Sequence, residues 1–396
     1  MKPRIFINMH YMEIGGAERA LLGLLNAIDT NKVDVDLFIN QHTGEFMKLI
    51  PKKINLLPEI SAYSVIEKPI TTAIKKGHVG IAIARLLAKV HYQIKNWCKN
   101  SDDASIFNLV AKYTTPLLPA LKKYGEYDLA ISFLTPHNIV KDKVNAKQKI
   151  AWIHTDYTKV SIDTKSELPI WNSYDKIISI SKDVTSTFLQ VFPSLDNKIQ
   201  EIENILSTQF IKDQASLFEP EEFQGNFIKL CSIGRFCFAK NFENIPSIAQ
   251  ILKEKGLSFK WYIIGFGDTT ETIENIKKTN TIECVVLLGK KDNPYPYIAN
   301  CDIYVQPSRY EGKSITVREA QILCKPVVIT NYPTAASQVK NGVDGIICEM
   351  DNDSIANTIY RLAHDEDTKT KLVEYLSLHD YGNENEVNKI YQLIND

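Results

Sequence analysis

Residues 301–330 read CDIYVQPSRYEGKSITVREAQILCKPVVIT. CDIYVQPS (301–308) is an apolar run of strand length, PVVIT (326–330) is a second, and the stretch between them holds a loop and enough residues for one helix. Two apolar strands joined through a helix form a parallel crossover, since antiparallel neighbours need only a tight turn. Glu311 and Gly312 follow the first strand, Glu319 falls on the helix, and Lys325-Pro326 opens the second strand.

The same alternation extends in both directions. Towards the N-terminus of this region the strands are FIKLCSIG (227–234), SFKWYIIG (258–265) and ECVVLLG (283–289), and beyond it GIICE (345–349). A separate series begins with RIFIN (4–8), turns through Gly15-Gly16 into a leucine-faced helix, and continues with strands at 33–40, 54–59, 127–133, 148–154 and 176–181. Residues 199–227 are polar and punctuated and read as the connection between the series. Two such series predict an α/β protein of two Rossmann-like domains facing across a cleft. The expected boundaries are 1–205, carrying a basic helical insert at about 63–125, then 206–375, then a helical tail at 376–396.

A chain of 396 residues accommodates two such cores, and 44% hydrophobic with 23% charged residues is ordinary for a globular protein. The net charge of −1 argues against a nucleic-acid binder. Seven cysteines without a CxxC pair or zinc-ligand spacing read as free thiols in a reducing compartment, and no metal site is expected. Met1-Lys2-Pro3-Arg4 leads into too short an apolar run for a secretory signal, and no run approaches the ~20 residues of a membrane span. The expected location is cytoplasmic. The insert departs from the overall neutrality: ten Lys or Arg face three acids, a net of about +7, and VGIAIARLLAKVHYQIKNW has a helical period of apolar and basic residues. Such a helix can dock on an anionic membrane surface or simply pack on the sheet with a solvated basic face.

Ligands of parallel sheets bind beyond the carboxyl ends of the strands, so four loops are candidates. Gly15-Gly16 permits close approach of an anion to a helix N-terminus, although GxGxxG and the acidic residue of a dinucleotide site are absent. After Ile233, Gly234-Arg235 and then Lys240 and Asn241 place two cations where a helix is expected to start, a conflict with its dipole that a diphosphate would relieve. Glu311 and Glu319 would lie ~12 Å apart on one continuous helix, beyond the ~5–9.5 Å of a glycosidase pair. Glu311 is therefore expected in the loop, and the N–H groups of Lys313, Ser314, Ile315 and Thr316 at the helix start. His154, in Trp152-Ile153-His154-Thr155-Asp156-Tyr157, ends a strand and can hydrogen-bond a hydroxyl or phosphate. Asp34-Val35-Asp36 has the form of a metal-binding DxD, but it starts its strand, on the wrong edge; Asp351 reads as a helix N-cap.

GGAERAL, GRFCFAKN and EGKSITVREA, in that order and spacing, resemble family 4 of the retaining GT-B glycosyltransferases, the group 1 glycosyltransferases, over nearly the whole chain and most closely from 228 to 350. The resemblance implies a metal-independent hexosyltransferase that moves a sugar from a nucleoside diphosphate, UDP rather than GDP, to an acceptor hydroxyl with its anomeric configuration kept. Arg235 and Lys240 would hold the diphosphate, Glu311 would contact the donor sugar, and Glu319 the ribose. Gly15 and Gly16 would approach the phosphates from the other domain, and His154 would touch donor sugar or acceptor. Lys290 and Lys291 would neighbour the base, Gly265 would line the cleft, and the last helix would cross back to the first domain. Two departures stand out: Lys313-Ser314 replaces the usual Phe-Gly or Phe-Pro, which bears on the sugar recognised, and Cys324 replaces a small residue before the Lys-Pro strand. The implied setting is surface polysaccharide or glycolipid assembly on a lipid-linked or saccharide acceptor, peripheral on the inner face of the plasma membrane. A sugar-nucleotide epimerase of the same scaffold would need catalytic acids that are not evident, and a non-catalytic nucleotide-sugar binder is disfavoured because the donor residues are all present.

Overall fold

The computed structural model describes residues 2–96, 105–155, 157 and 162–395. Contacts divide the chain into one unit of Met1–Ile205 with Glu384–Asp396 and another of Leu206–Asn383.

The first unit holds a parallel sheet of β1 (Arg4–Met9), β2 (Asp34–Ile39), β3 (Asn55–Leu56), β4 (Glu126–Ser132), β5 (Asn145–Ile153), β6 (Lys176–Ser179) and β7 (Ile199–Glu201), in the order β3-β2-β1-β4-β5-β6-β7. Ile5, Phe6, Ile7, Leu129, Ala130 and Ile131 are wholly buried, as expected where helices cover both faces of a sheet. β7 corrects the reading of 199–227 as one connection: Ile199–Glu201 pair with Ile177–Ser179, and Thr208–Ala215 is a helix of the second unit. The polar sequence of β7 hid it, because an edge strand need not be apolar on both faces. Helix Val387–Asn395 packs in the first unit, where Tyr391 Oη accepts the Asp29 N–H at 2.8 Å.

In the second unit β8 (Ile228–Ile233), β9 (Phe259–Ile264), β10 (Val285–Gly289), β11 (Ile303–Gln306), β12 (Val327–Thr330) and β13 (Ile346–Cys348) form a parallel sheet in the order β10-β9-β8-β11-β12-β13. Each sheet thus reverses winding once, between β1 and β4 and between β8 and β11. Loops diverge at such a point and leave a crevice at the carboxyl ends of the strands.

Asp36 Oδ2, at the opposite edge, accepts from Arg4 Nη2 at 2.9 Å and Tyr127 Oη at 2.6 Å, so it is a structural anchor. Asp351 caps its helix through the Ser354 N–H at 2.8 Å.

Candidate functional site

The second unit's reversal point brings together the loops after β8 and β11. Lys240 Nζ meets Glu311 Oε1 at 2.5 Å, and the same oxygen accepts from Ser308 Oγ at 2.6 Å and Gln306 Nε2 at 3.4 Å. The resemblance places Lys240 on phosphate and Glu311 on sugar; the structure joins them. It also corrects the dipole argument. Lys240 ends a 3-10 turn, Phe238–Lys240, and the helix proper is Ile245–Glu254, so the lysine is balanced by a carboxylate rather than opposed by a helix end.

Glu311 lies in the loop as expected, ahead of helix Ile315–Ile322. Its carbonyl accepts from Thr334 Oγ1 at 2.8 Å. Gln338 clamps the helix start: its Oε1 accepts the Ser314 N–H at 3.1 Å and its Nε2 donates to the Ser314 carbonyl at 2.5 Å. Of the N–H groups assigned to a ligand, that of Ser314 is therefore already engaged. Lys313 is exposed, and the Thr316 hydroxyl lies 3.2 Å from that of Ser314. Cys324 has φ 54°, which gives a physical reason for a small residue there: the left-handed region penalises a Cβ.

Glu319 is fully buried, and Tyr295 Oη donates to its Oε1 at 3.0 Å. Sequence reading put it at a ligand; the structure gives it a core partner as well.

The loop after β8 also meets the loops after β9 and β10 at Phe266. The Arg235 guanidinium lies 5.6 Å and the Lys290 ammonium 5.7 Å from its ring centroid. Both cations are exposed, and neither forms an ion pair among the described residues. Lys291 is engaged otherwise, 3.3 Å from Glu222 Oε1 and over the Tyr297 ring. Gly265 is required by backbone packing: a Cβ there would sit 1.8 Å from the Gly234 carbonyl oxygen. Gly265→Ala is expected to destabilise the second unit by about 1–3 kcal/mol, because the loops after β8 and β9 must part. Denaturant titration reads this directly, and an unchanged midpoint would contradict it.

In the first unit Gly15 is extended (φ −151°) and precedes helix Gly16–Ala27, and a Cβ on exposed Gly16 would meet nothing within 4 Å. A cavity of about 240 Å³ lies beside it in the chain, with His10, Tyr11, Glu67, Asn108, Tyr157 and Glu167 in its wall. His10 is 5% exposed, and its Nδ1 lies 2.7 Å from Glu67 Oε1. Desolvation works to raise the Glu67 carboxyl, but the His10 hydrogen bond and the charges of His10 and Arg85 outweigh it and hold its pKa below the ordinary value. Glu167, 3% exposed, accepts from Asn108 Nδ2 at 2.7 Å. The sequence reading missed this wall. Two of its members, Glu67 and Asn108, belong to the insert, whose fold could not be placed from composition.

His154 packs against Phe133 and Trp152, with ring centroids 4.7 and 6.2 Å away, and its Nε2 is buried without a hydrogen-bond partner among the described residues. Asp156, in the same motif, lies outside the described residues. Desolvation pushes the His154 pKa down to about 3, and the same cause, with the charges of His10 and His154, holds His137 well below 6.5. His154 therefore acts as a neutral ring near pH 7. In the unfolded chain both rings take a proton as pH falls through about 6.5, whereas the folded rings do not, so the fold loses stability from pH 7 towards 5. A denaturation midpoint that stays level over that range would contradict the burial of these rings.

Among the described residues no group of three His, Cys, Asp or Glu side chains is placed to hold a metal ion.

Comparison with known proteins completes the picture. The capsular polysaccharide biosynthesis glycosyltransferase CapM of Staphylococcus aureus is 29% identical over 48% of this chain and 52% of its own. A Campylobacter jejuni N-acetylgalactosaminyltransferase, named for an N-acetylgalactosamine-N,N'-diacetylbacillosaminyl-diphospho-undecaprenol, is 29% identical over 46% and 48%. The chain thus spans about half the length of these curated relatives. Over its full length and that of the solved chain it superposes on a S. aureus TarM mutant in complex with fondaparinux, alpha-GlcNAc-glycerol and UDP, with TM-score 0.66 and 14% identity. The expected GT-B fold of two Rossmann-like domains stands. Residues 213–377, which include Arg235, Lys240, Glu311 and Glu319, match the family described as Glycosyl transferases group 1.

Proposed function

We propose that this chain is a retaining, metal-independent hexosyltransferase of family 4, which transfers a sugar from a nucleoside diphosphate to an acceptor hydroxyl. The observation that carries the reading is the group of cations around one reversal point: Arg235 and Lys290 without carboxylate partners among the described residues, and Lys240 on Glu311. A diphosphate matches exposed cations at that place, with Arg235 offering a planar fork of donors. Negative charge grows on the departing nucleotide in the transition state, so cations fixed there lower the barrier. Glu311 reaches the donor sugar in this reading and Lys240 shares its charge between carboxylate and phosphate. Glu319 serves the ribose, which requires its cover, Tyr295 included, to part. Ile315 and Thr316 offer their N–H groups.

UDP is the favoured nucleotide, since the solved TarM complex contains it. The names of CapM and of the Campylobacter transferase support surface polysaccharide assembly and a lipid-linked or saccharide acceptor. A cytoplasmic place on the inner face of the plasma membrane belongs to the same reading. Incubation with a panel of UDP- and GDP-sugars tests it: free nucleotide is expected only when donor and acceptor are both present. Nucleotide release without transfer, or epimerised donor as the product, would overturn it in favour of the epimerase alternative.

A further inference from the structure

Helix Val79–Asn96 buries one face and leaves an apolar one in solvent. Ile81, Ala84 and Ala88 are buried against the fold, whereas Val79, Ile83, Leu86, Leu87, Val90 and Ile94 are 49–68% exposed. At 100° per residue those six fall within one arc of about 100°, opposite the buried side. Scattered exposed leucines need no explanation, but an unbroken stripe over the whole helix marks a surface that something covers. Leu117 extends it at the N-terminal end, where a Cβ on Gly80 would lie 3.7 Å from its Cδ1.

Charge identifies the cover. Lys75 and Lys76, just before the helix, and Lys89 on it are exposed, and the insert carries about +7 in a chain of net −1. A second copy of this chain would set like charge against like charge. A negatively charged lipid surface takes the apolar side chains among its acyl chains and the lysines on its phosphates. Among the described residues no helix is long and apolar enough to cross a membrane, so the contact is one of lying on the surface.

The same insert walls the cavity of the first unit. Arg85, on the docking helix, donates from Nη1 to the Val65 carbonyl at 3.0 Å and also to that of Lys68, bracketing Glu67. His91 Nδ1 lies 3.1 Å from Tyr113 Oη and ties the helix to its neighbour Ser105–Thr114, which supplies Phe107 and Asn108 to the cavity wall.

We propose that the outward face of helix Val79–Asn96 lies in the surface of an anionic bilayer and holds the cavity of the first unit beside it, so that an acceptor carried on a membrane lipid reaches the cavity from the bilayer. The acceptor clause rests on the transferase reading above; the docking face does not.

Flotation of the full chain with vesicles tests it. Binding to phosphatidylcholine vesicles containing phosphatidylglycerol is expected to exceed binding to phosphatidylcholine alone by about tenfold or more. The double substitution Ile83→Ser/Leu87→Ser is expected to lower binding to the anionic vesicles by at least about tenfold, and Lys75→Gln/Lys76→Gln/Lys89→Gln to remove the preference for them. These side chains lie outside the core, so melting temperature and UDP binding stay at wild-type values, which keeps loss of docking distinct from loss of fold or donor site. Wild-type protein that floats with neither vesicle, or a serine variant that floats like wild type, overturns the proposal. So does a wild-type dimer in sedimentation velocity that the serine substitutions convert to monomer, since a second copy would then be the cover. If flotation holds while no sugar nucleotide is turned over, the transferase reading falls and the docking face stands.

Discussion

Lys240→Ala is expected to slow transfer by about a hundred- to a thousandfold with little change in acceptor KM, the loss typical of one removed electrostatic contact in a transition state. Among the described residues the variant also leaves Glu311 with the neutral donors Ser308 and Gln306, in a site where the Lys240 and Glu311 side chains are 20% and 10% exposed. Removing one member of such a pair costs up to about 3 kcal/mol, because the other keeps its desolvation without its partner. Stability and catalysis can be separated. In Lys240→Ala/Glu311→Ala the stranded carboxylate is gone, so stability is expected to recover relative to the single variant while turnover stays low. Turnover that recovers with stability would mean that Lys240 only holds the loop and that the Glu311 carboxylate is not needed at the donor sugar, and the phosphate role would then pass to Arg235 and Lys290. Retention of wild-type turnover in the single variant would remove Lys240 from the site altogether.

The fold was largely legible because parallel strands covered on both faces leave unbroken apolar runs, as in Ile228–Ile233 and Val327–Thr330. What escaped were elements without that signature, namely β7 at a sheet edge and the helix Thr208–Ala215 that follows it in the chain. The site was legible in its charged residues and not in their partners. Gln306 and Ser308, which orient Glu311, are polar residues at the end of a buried strand, and a glutamine in an otherwise apolar run is a readable hint. Gln338 and Thr334 hold the loop and helix start from more than twenty residues away, and no local pattern points to them. Spacing alone treated Lys240 and Glu311, separated by 71 positions, as independent contacts; the ion pair between them exists only in three dimensions. The insert shows the reverse case. Its composition revealed both apolar and basic character, but only the fold decides which apolar face is covered and which is not.

Glu319 is where these two kinds of evidence pull apart, and its substitution separates them. The resemblance places its carboxylate on the donor ribose, while the structure buries it completely against the Tyr295 hydroxyl. Glu319→Leu removes the carboxylate that accepts from that hydroxyl and is expected to cost about 2 kcal/mol, or roughly 4–8 °C in a unit of this size. Glu319→Gln keeps an oxygen for Tyr295 and should melt much closer to wild type. Donor binding sorts the variants differently. A carboxylate that accepts from ribose hydroxyls makes charge-assisted bonds, so both variants, Gln included, are expected to weaken UDP by about ten- to a hundredfold in calorimetric titration. If Gln binds UDP like wild type and only Leu suffers, in proportion to its lost stability, Glu319 is a core residue that fixes helix Ile315–Ile322 and the ribose contact is wrong. If Gln melts normally yet loses UDP, the carboxylate reaches the ligand, and its cover must open when the nucleotide arrives.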